Sequence, residues 1–206
     1  MNAATTLVHT LAGGAESGRR AISVASVLFV AALTAAAAQV SVPLPFTSVP
    51  FTFQPMIVLL GGLALGSKLG LASQVVYLAA GLAGLPVFAA SATLPPGPLR
   101  LLGPTGGYLM AYPIAAFVVG YLADRGFSRR YVTSVLAMLA GLAVVYACGV
   151  AWLAVFARVG SESAAVGVQA ALVSGVVPFV LADLLKLLAA AGILPGLWRL
   201  FGRSSG

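Results

Sequence analysis

From Ala21 to Val40 the chain runs twenty residues without a charge. That is the length a helix needs to cross a hydrocarbon core of about 30 Å at about 1.5 Å per residue. Further long apolar segments follow it, and they lack the polar/apolar alternation of a membrane β-barrel. Every backbone N–H and C=O in hydrocarbon must then be paired inside its own helix. Composition agrees, because only 15 of 206 residues are charged, 11 basic and 4 acidic. Roughly a quarter would be needed to clothe a water-soluble surface. The expected fold class is all-α, a polytopic integral membrane protein.

Arg19 and Arg20 ahead of this run resemble the start of a signal peptide, but a signal h-region is only about 7–15 residues long. The run is therefore expected to be a retained first helix, preceded by a cytoplasmic leader (residues 1–20) expected to be disordered. Six spans are expected: Ala21–Val40, Gln54–Leu65, Leu71–Leu85, Thr105–Ala123, Tyr131–Ala157 and Ala170–Leu194. They form one membrane domain, residues 21–200, with a short cytoplasmic tail at 201–206.

Cations collect on cytoplasmic loops. With the N-terminus inside, Arg19, Arg20, Lys68, Arg125, Arg129, Arg130, Arg199 and Arg203 all fall inside, and only Arg100 and Arg158 fall outside. Eight against two favours six spans with both termini cytoplasmic. The same distribution explains the pI near 10.2 as topology, with no basic patch for nucleic acid. Cys148 has no partner for an intramolecular disulfide, because it is the chain's one cysteine. It is expected to be a buried structural thiol.

Some functions are excluded. "GGLALGSK" lacks the glycine spacing of a phosphate-binding loop, and its Lys follows Ser. Any ATP would be used by another chain. One histidine, one cysteine and one aspartate within the apolar segments offer no metal site and no catalytic constellation, so an enzyme is not expected.

The most informative stretch is "VPFVLADLLKLLAAAGIL", Val177–Leu194, where Asp183 and Lys186 interrupt an apolar helix. A charge in hydrocarbon costs several kcal/mol by most estimates, so such residues usually have a use. At i and i+3 they share one helix face. Either they form a salt bridge that fixes packing, or they offer acceptors and donors to a polar ligand. Pro178 frees a backbone carbonyl and can kink this helix toward a cavity.

A second motif is "LLGPTGGYLMAYP", Leu101–Pro113. Its glycines Gly106 and Gly107 let a ligand approach bare backbone at a helix start, where N–H groups favour an anion. Tyr108 adds a ring with a hydroxyl, and Tyr112 lies one turn later on the same face. In "AALTAAAAQV" the pairs Ala31/Ala35 and Ala32/Ala36 allow another helix to approach closely. The proline-stiffened link "PVFAASATLPPGPLR" suits a lid, and Arg100 at its end could meet an anionic solute.

Taken in order, "VPLPFTSVPFTFQ", "GLPVFA", "LLGPTGGYLMAYPIAAFVVGYLADRG" and "ADLLK" resemble the biotin-specific substrate-binding subunits of the energy-coupling-factor transporters, the BioY family. The resemblance covers about Ala21 to Leu194. It implies a biotin-binding subunit in the cell membrane with no ATPase activity or cofactor of its own. Its partners would be a transmembrane coupling subunit and ABC-type ATPases that use the ATP.

The resemblance also implies that Ala31 and Ala35 face the coupling subunit. Asp183 would accept from a ureido N–H of biotin, and Lys186 would donate to the ureido oxygen or, alternatively, to the carboxylate. Gly106, Gly107 and Tyr108 would close over the bicycle, with Arg100 or loop backbone near the carboxylate. Some relatives supply an asparagine after "PVFA"; here Ala90 and Ser91 stand there, so Ser91 or a backbone group would replace that contact. The alternatives are a sibling subunit for another vitamin, or a stand-alone facilitator or ion-coupled transporter.

Overall fold

The computed structural model describes residues 16–91, 94–159 and 162–201. Of the expected leader (1–20) and tail (201–206), residues 1–15 and 202–206 lie outside these ranges, while 16–20 and 201 are helical. Helix α1, Glu16–Gln39, begins five residues before the expected Ala21. Its first turn carries the Arg20–Glu16 ion pair, 2.8 Å, so Arg19, Arg20 and Glu16 belong to the helix itself. A two-stranded hairpin follows, β1 (Ser41–Val42) with β2 (Phe51–Thr52), in antiparallel register Ser41↔Thr52 and Val42↔Phe51. The proline-rich link is thus a closed loop pinned at its base.

Helix α2, Gln54–Leu65, matches the approximate span expected for it, with Pro55 in its first turn and Gly66 at its end. Helix α3 starts at once, at Ser67, and runs to Leu82. Gly66 alone makes the turn, with φ +82, a left-handed conformation that other residues resist. Asp124 holds the new helix start, its Oδ2 accepting from the Ser67 N–H at 3.1 Å and the Ser67 hydroxyl at 2.6 Å. This carboxylate cap is why α3 begins four residues before the expected Leu71.

A short helix α4, Leu99–Leu102, leads into α5, Gly106–Ala123, which contains Pro113. A 3-10 turn at Phe127–Arg129 joins it to α6, Tyr131–Val155. A second small hairpin pairs β3 (Arg158–Val159) with β4 (Glu162–Ser163).

The expected sixth span is divided. Helix α7 covers Val168–Gly175, and α8 covers Val177–Ala191 with Pro178 in its first turn. Between them Val176 leaves helical geometry at φ −125, ψ −56. Helix α9, Ile193–Phe201, follows with only Gly192 between. Proline cannot donate to the preceding turn, which accounts for the break.

Among the described residues, four stretches are long and apolar enough to cross a membrane: Glu16–Gln39, Gly106–Ala123, Tyr131–Val155 and Val177–Trp198. The chain is an integral membrane protein. Its core lies on the inward faces of α2, α3, α5, α6 and α8, while residues such as Phe29, Val132, Leu181 and Leu185 point outward, a surface suited to lipid.

Helix α1 corrects one expectation. Ala31 is buried in the core and Ala35 packs against it, so this pair joins α1 to its own bundle. The outward pair is Ala32 and Ala36.

Candidate ligand-binding site

A cavity of about 330 Å³ opens at one end of the bundle, within the range of roughly 300–1,000 Å³ usual for small-molecule sites. Its wall is built from the β1–β2 loop, residues 88–91, Leu94, Arg100, Pro104 and Thr105, the first turns of α5, one turn of α6 and the α7–α8 break.

Asp183 stands in this wall and is only 8% exposed. Helix α8 turns Leu181 and Leu185 outward, which directs Asp183 inward. Both carboxylate oxygens are engaged. Oδ1 accepts from Lys186 Nζ at 2.9 Å, and Oδ2 accepts from the Tyr146 hydroxyl at 2.8 Å. Two oxygens provide about four lone-pair sites, so the clamped carboxylate retains acceptor capacity.

Lys186 behaves differently. Its ammonium donates to Asp183 and to the backbone oxygen of Thr52 at 2.8 Å, and it lies 3.5 Å from the Phe51 ring centroid. It is not part of the cavity wall. The cation joins α8 to the hairpin strand β2.

Tyr108 also lines the cavity, and its hydroxyl donates to the Gly175 carbonyl at 2.9 Å. The α7–α8 break exposes that carbonyl. Gly149 and Gly175 are needed here, since a Cβ on either would run into the Tyr108 ring or hydroxyl. Gly106 and Gly107, by contrast, are absent from the wall. They face Leu101, Cys148 and Trp152, so their bare backbone serves close packing of α5 on α6. Trp152 fixes the turn before them by donating to the Gly103 carbonyl at 2.9 Å. It is Pro104 and Thr105 of this motif that reach the cavity. Cys148 is a free, half-buried thiol outside the wall.

Arg100 is 9% exposed and lines the cavity. Its Nε donates to the Pro95 carbonyl at 3.1 Å and its Nη1 to the Ala89 carbonyl at 2.7 Å, so it braces the proline-rich segment. Burial lowers its pKa, but a guanidinium starts so far above neutrality that it stays charged. No carboxylate pairs with it among the described residues. Because Lys186 and Asp183 neutralise one another, Arg100 leaves the cavity with a net positive charge. Ala90 and Ser91 are both in the wall, and Ser91 Oγ accepts from the Leu94 N–H at 3.2 Å.

Sequence reasoning did not find Gln54, Tyr146, Phe88 or Phe179, all of which line the cavity. Gln54 donates to the Tyr77 hydroxyl at 2.6 Å. A glutamine opening an apolar segment is a usable signal, because such a side chain in a membrane helix seeks a polar partner. The aromatic residues carry no such signal.

A family model described as the BioY family matches residues 7–203. The chain belongs to the BioY family. A probable biotin transporter BioY of Pyrococcus horikoshii is 41% identical over 167 residues, 81% of this chain and 90% of its own length. The biotin transporter BioY of Thermotoga maritima is 38% identical over 160 residues, 78% of this chain and 86% of that protein. A crystal structure of the S-component for biotin from an ECF-type ABC transporter superposes with a TM-score of 0.76 at 24% identity, covering 90% of this chain and 95% of that one. The latter match establishes a shared fold for this BioY chain.

Proposed function

We propose that this BioY protein captures biotin from outside the cell and delivers it to partner subunits that use ATP for its uptake. The observation that carries the reading is the pairing, in one cavity, of a charge-neutralised acceptor at Asp183 with an uncompensated cation at Arg100. Biotin presents ureido N–H donors at one end and a carboxylate at the other. Asp183 then accepts from the ureido ring and Arg100 receives the carboxylate, while Lys186 holds Asp183 in place.

The same reading has six membrane segments with both termini cytoplasmic, in the cytoplasmic membrane, with α2 and α3 as shorter segments. The coupling subunit would dock on the outward Ala32/Ala36 face of α1, and the protein needs no cofactor of its own. The test is calorimetric titration of the purified, detergent-solubilised chain with biotin, thiamine and riboflavin. Tight binding of biotin alone is expected; absence of biotin binding by folded protein would refute the reading.

A further inference from the structure

Three tyrosines line the cavity among the described residues: Tyr108, Tyr112 and Tyr146. Two have committed hydroxyls, Tyr108 to the Gly175 carbonyl and Tyr146 to Asp183. The Tyr112 hydroxyl makes no hydrogen bond to any described residue, and it is not among the fully sealed orphan atoms. The residue as a whole is 3% exposed, and its ring is packed 6.4 Å from that of Tyr77. Its remaining exposure therefore opens on the cavity. A phenol held in this way is a donor whose position is fixed by packing and whose partner is left to the ligand.

The ligand needs such a donor. A cyclic urea bound through its N–H groups at Asp183 still carries a carbonyl oxygen that must be satisfied on leaving water. Lys186 is not available for it, because its ammonium is spent on Asp183, Thr52 and the Phe51 face. Taking biotin as the ligand, as proposed above, we infer that Tyr112 is a specificity residue whose hydroxyl donates to the ureido oxygen. Tyr112 thereby supplies one of the two alternative contacts expected of Lys186. A site built to hydrogen-bond one group discriminates against ligands without it, because its own polar atom is left unpaired.

The test uses the full chain and Tyr112→Phe, titrated with biotin, desthiobiotin and biotin methyl ester. Desthiobiotin keeps the urea and lacks the thioether; the ester keeps the urea and lacks the carboxylate. A neutral hydrogen bond corresponds to roughly a three- to tenfold change in Kd. Tyr112→Phe should weaken all three ligands by that same factor. Its ligand-free melting temperature should not move, since the lost hydroxyl bonds to no protein group.

Wild-type affinity for biotin in Tyr112→Phe overturns the inference. So does a loss that disappears with desthiobiotin, which would put the hydroxyl on the thioether, or with the ester, which would put it on the carboxylate. A fall in ligand-free stability would show a protein partner for the hydroxyl and overturn it too. If the wild type itself does not bind biotin, it is the functional proposal that fails.

Discussion

Asp183→Asn is the perturbation with the most to say. The substitution keeps shape but removes the charge that Lys186 Nζ meets at 2.9 Å in a site where both side chains are 9% exposed. Removing one partner of a buried pair typically costs about 3–5 kcal/mol. Here the cation keeps the Thr52 carbonyl and the Phe51 ring face, and a desolvated cation–π contact offsets up to about 2 kcal/mol. With the full offset the loss of stability should be about 1–3 kcal/mol. Ligand affinity is a separate quantity. A hydrogen bond to a charged acceptor is worth about 1.5–3 kcal/mol, so the biotin Kd should rise roughly ten- to a hundredfold.

The double variant Asp183→Asn/Lys186→Met separates these effects, because replacing both members of a buried pair with neutral groups is often close to neutral for stability. Thermal melting in detergent should show stability largely recovered, while calorimetry shows affinity still lost. Recovery of both together would refute the reasoning, since it would make the pair packing alone.

Other expected outcomes are more compact. Arg100→Gln should weaken biotin roughly ten- to a hundredfold by calorimetry, the loss of a charge-assisted contact, and should leave biotin methyl ester nearly unaffected. Gly149→Ala places a Cβ against the Tyr108 ring, and overpacking of this kind costs about 1–3 kcal/mol; its melting temperature should fall, more than for an outward alanine. On α1, Ala32→Leu should leave biotin binding by the purified chain intact and reduce uptake in cells containing the partner subunits. Ala31→Leu, at a buried position, should instead lower thermal stability.

How far the sequence was legible depended on the range of the interaction involved. Helix α2 is bounded by local signals, a proline in its first turn and a glycine after its last, and it matches the approximate span expected for it. Intramembrane charge singled out Asp183, because few apolar helices carry a carboxylate. The use of Lys186 could not be read, since its backbone acceptor Thr52 lies 134 residues away. Nor could the choice between Ala31 and Ala32. When a helix is apolar on every side, periodicity does not distinguish a face turned to lipid from one turned to the core. The same blindness hid Tyr146, whose partner Asp183 comes from another helix.

Packing and binding, the two uses weighed for the Asp183–Lys186 pair, prove compatible once each side chain is placed. The carboxylate faces the cavity and the ammonium faces the hairpin, so the pair spans the boundary between site and scaffold. A carboxylate kept ready for a ligand in a poorly hydrated wall needs a nearby cation to compensate its desolvation. A cation within the ligand's reach would also attract anions to the wrong end. Anchoring Lys186 on Thr52 meets the first need and avoids the second, and it leaves Arg100 as the cavity's uncompensated charge among the described residues. A ligand with one anionic end and one uncharged hydrogen-bonding end therefore has a single preferred orientation. Lys186→Met should consequently weaken biotin without touching it, by loosening the carboxylate that does.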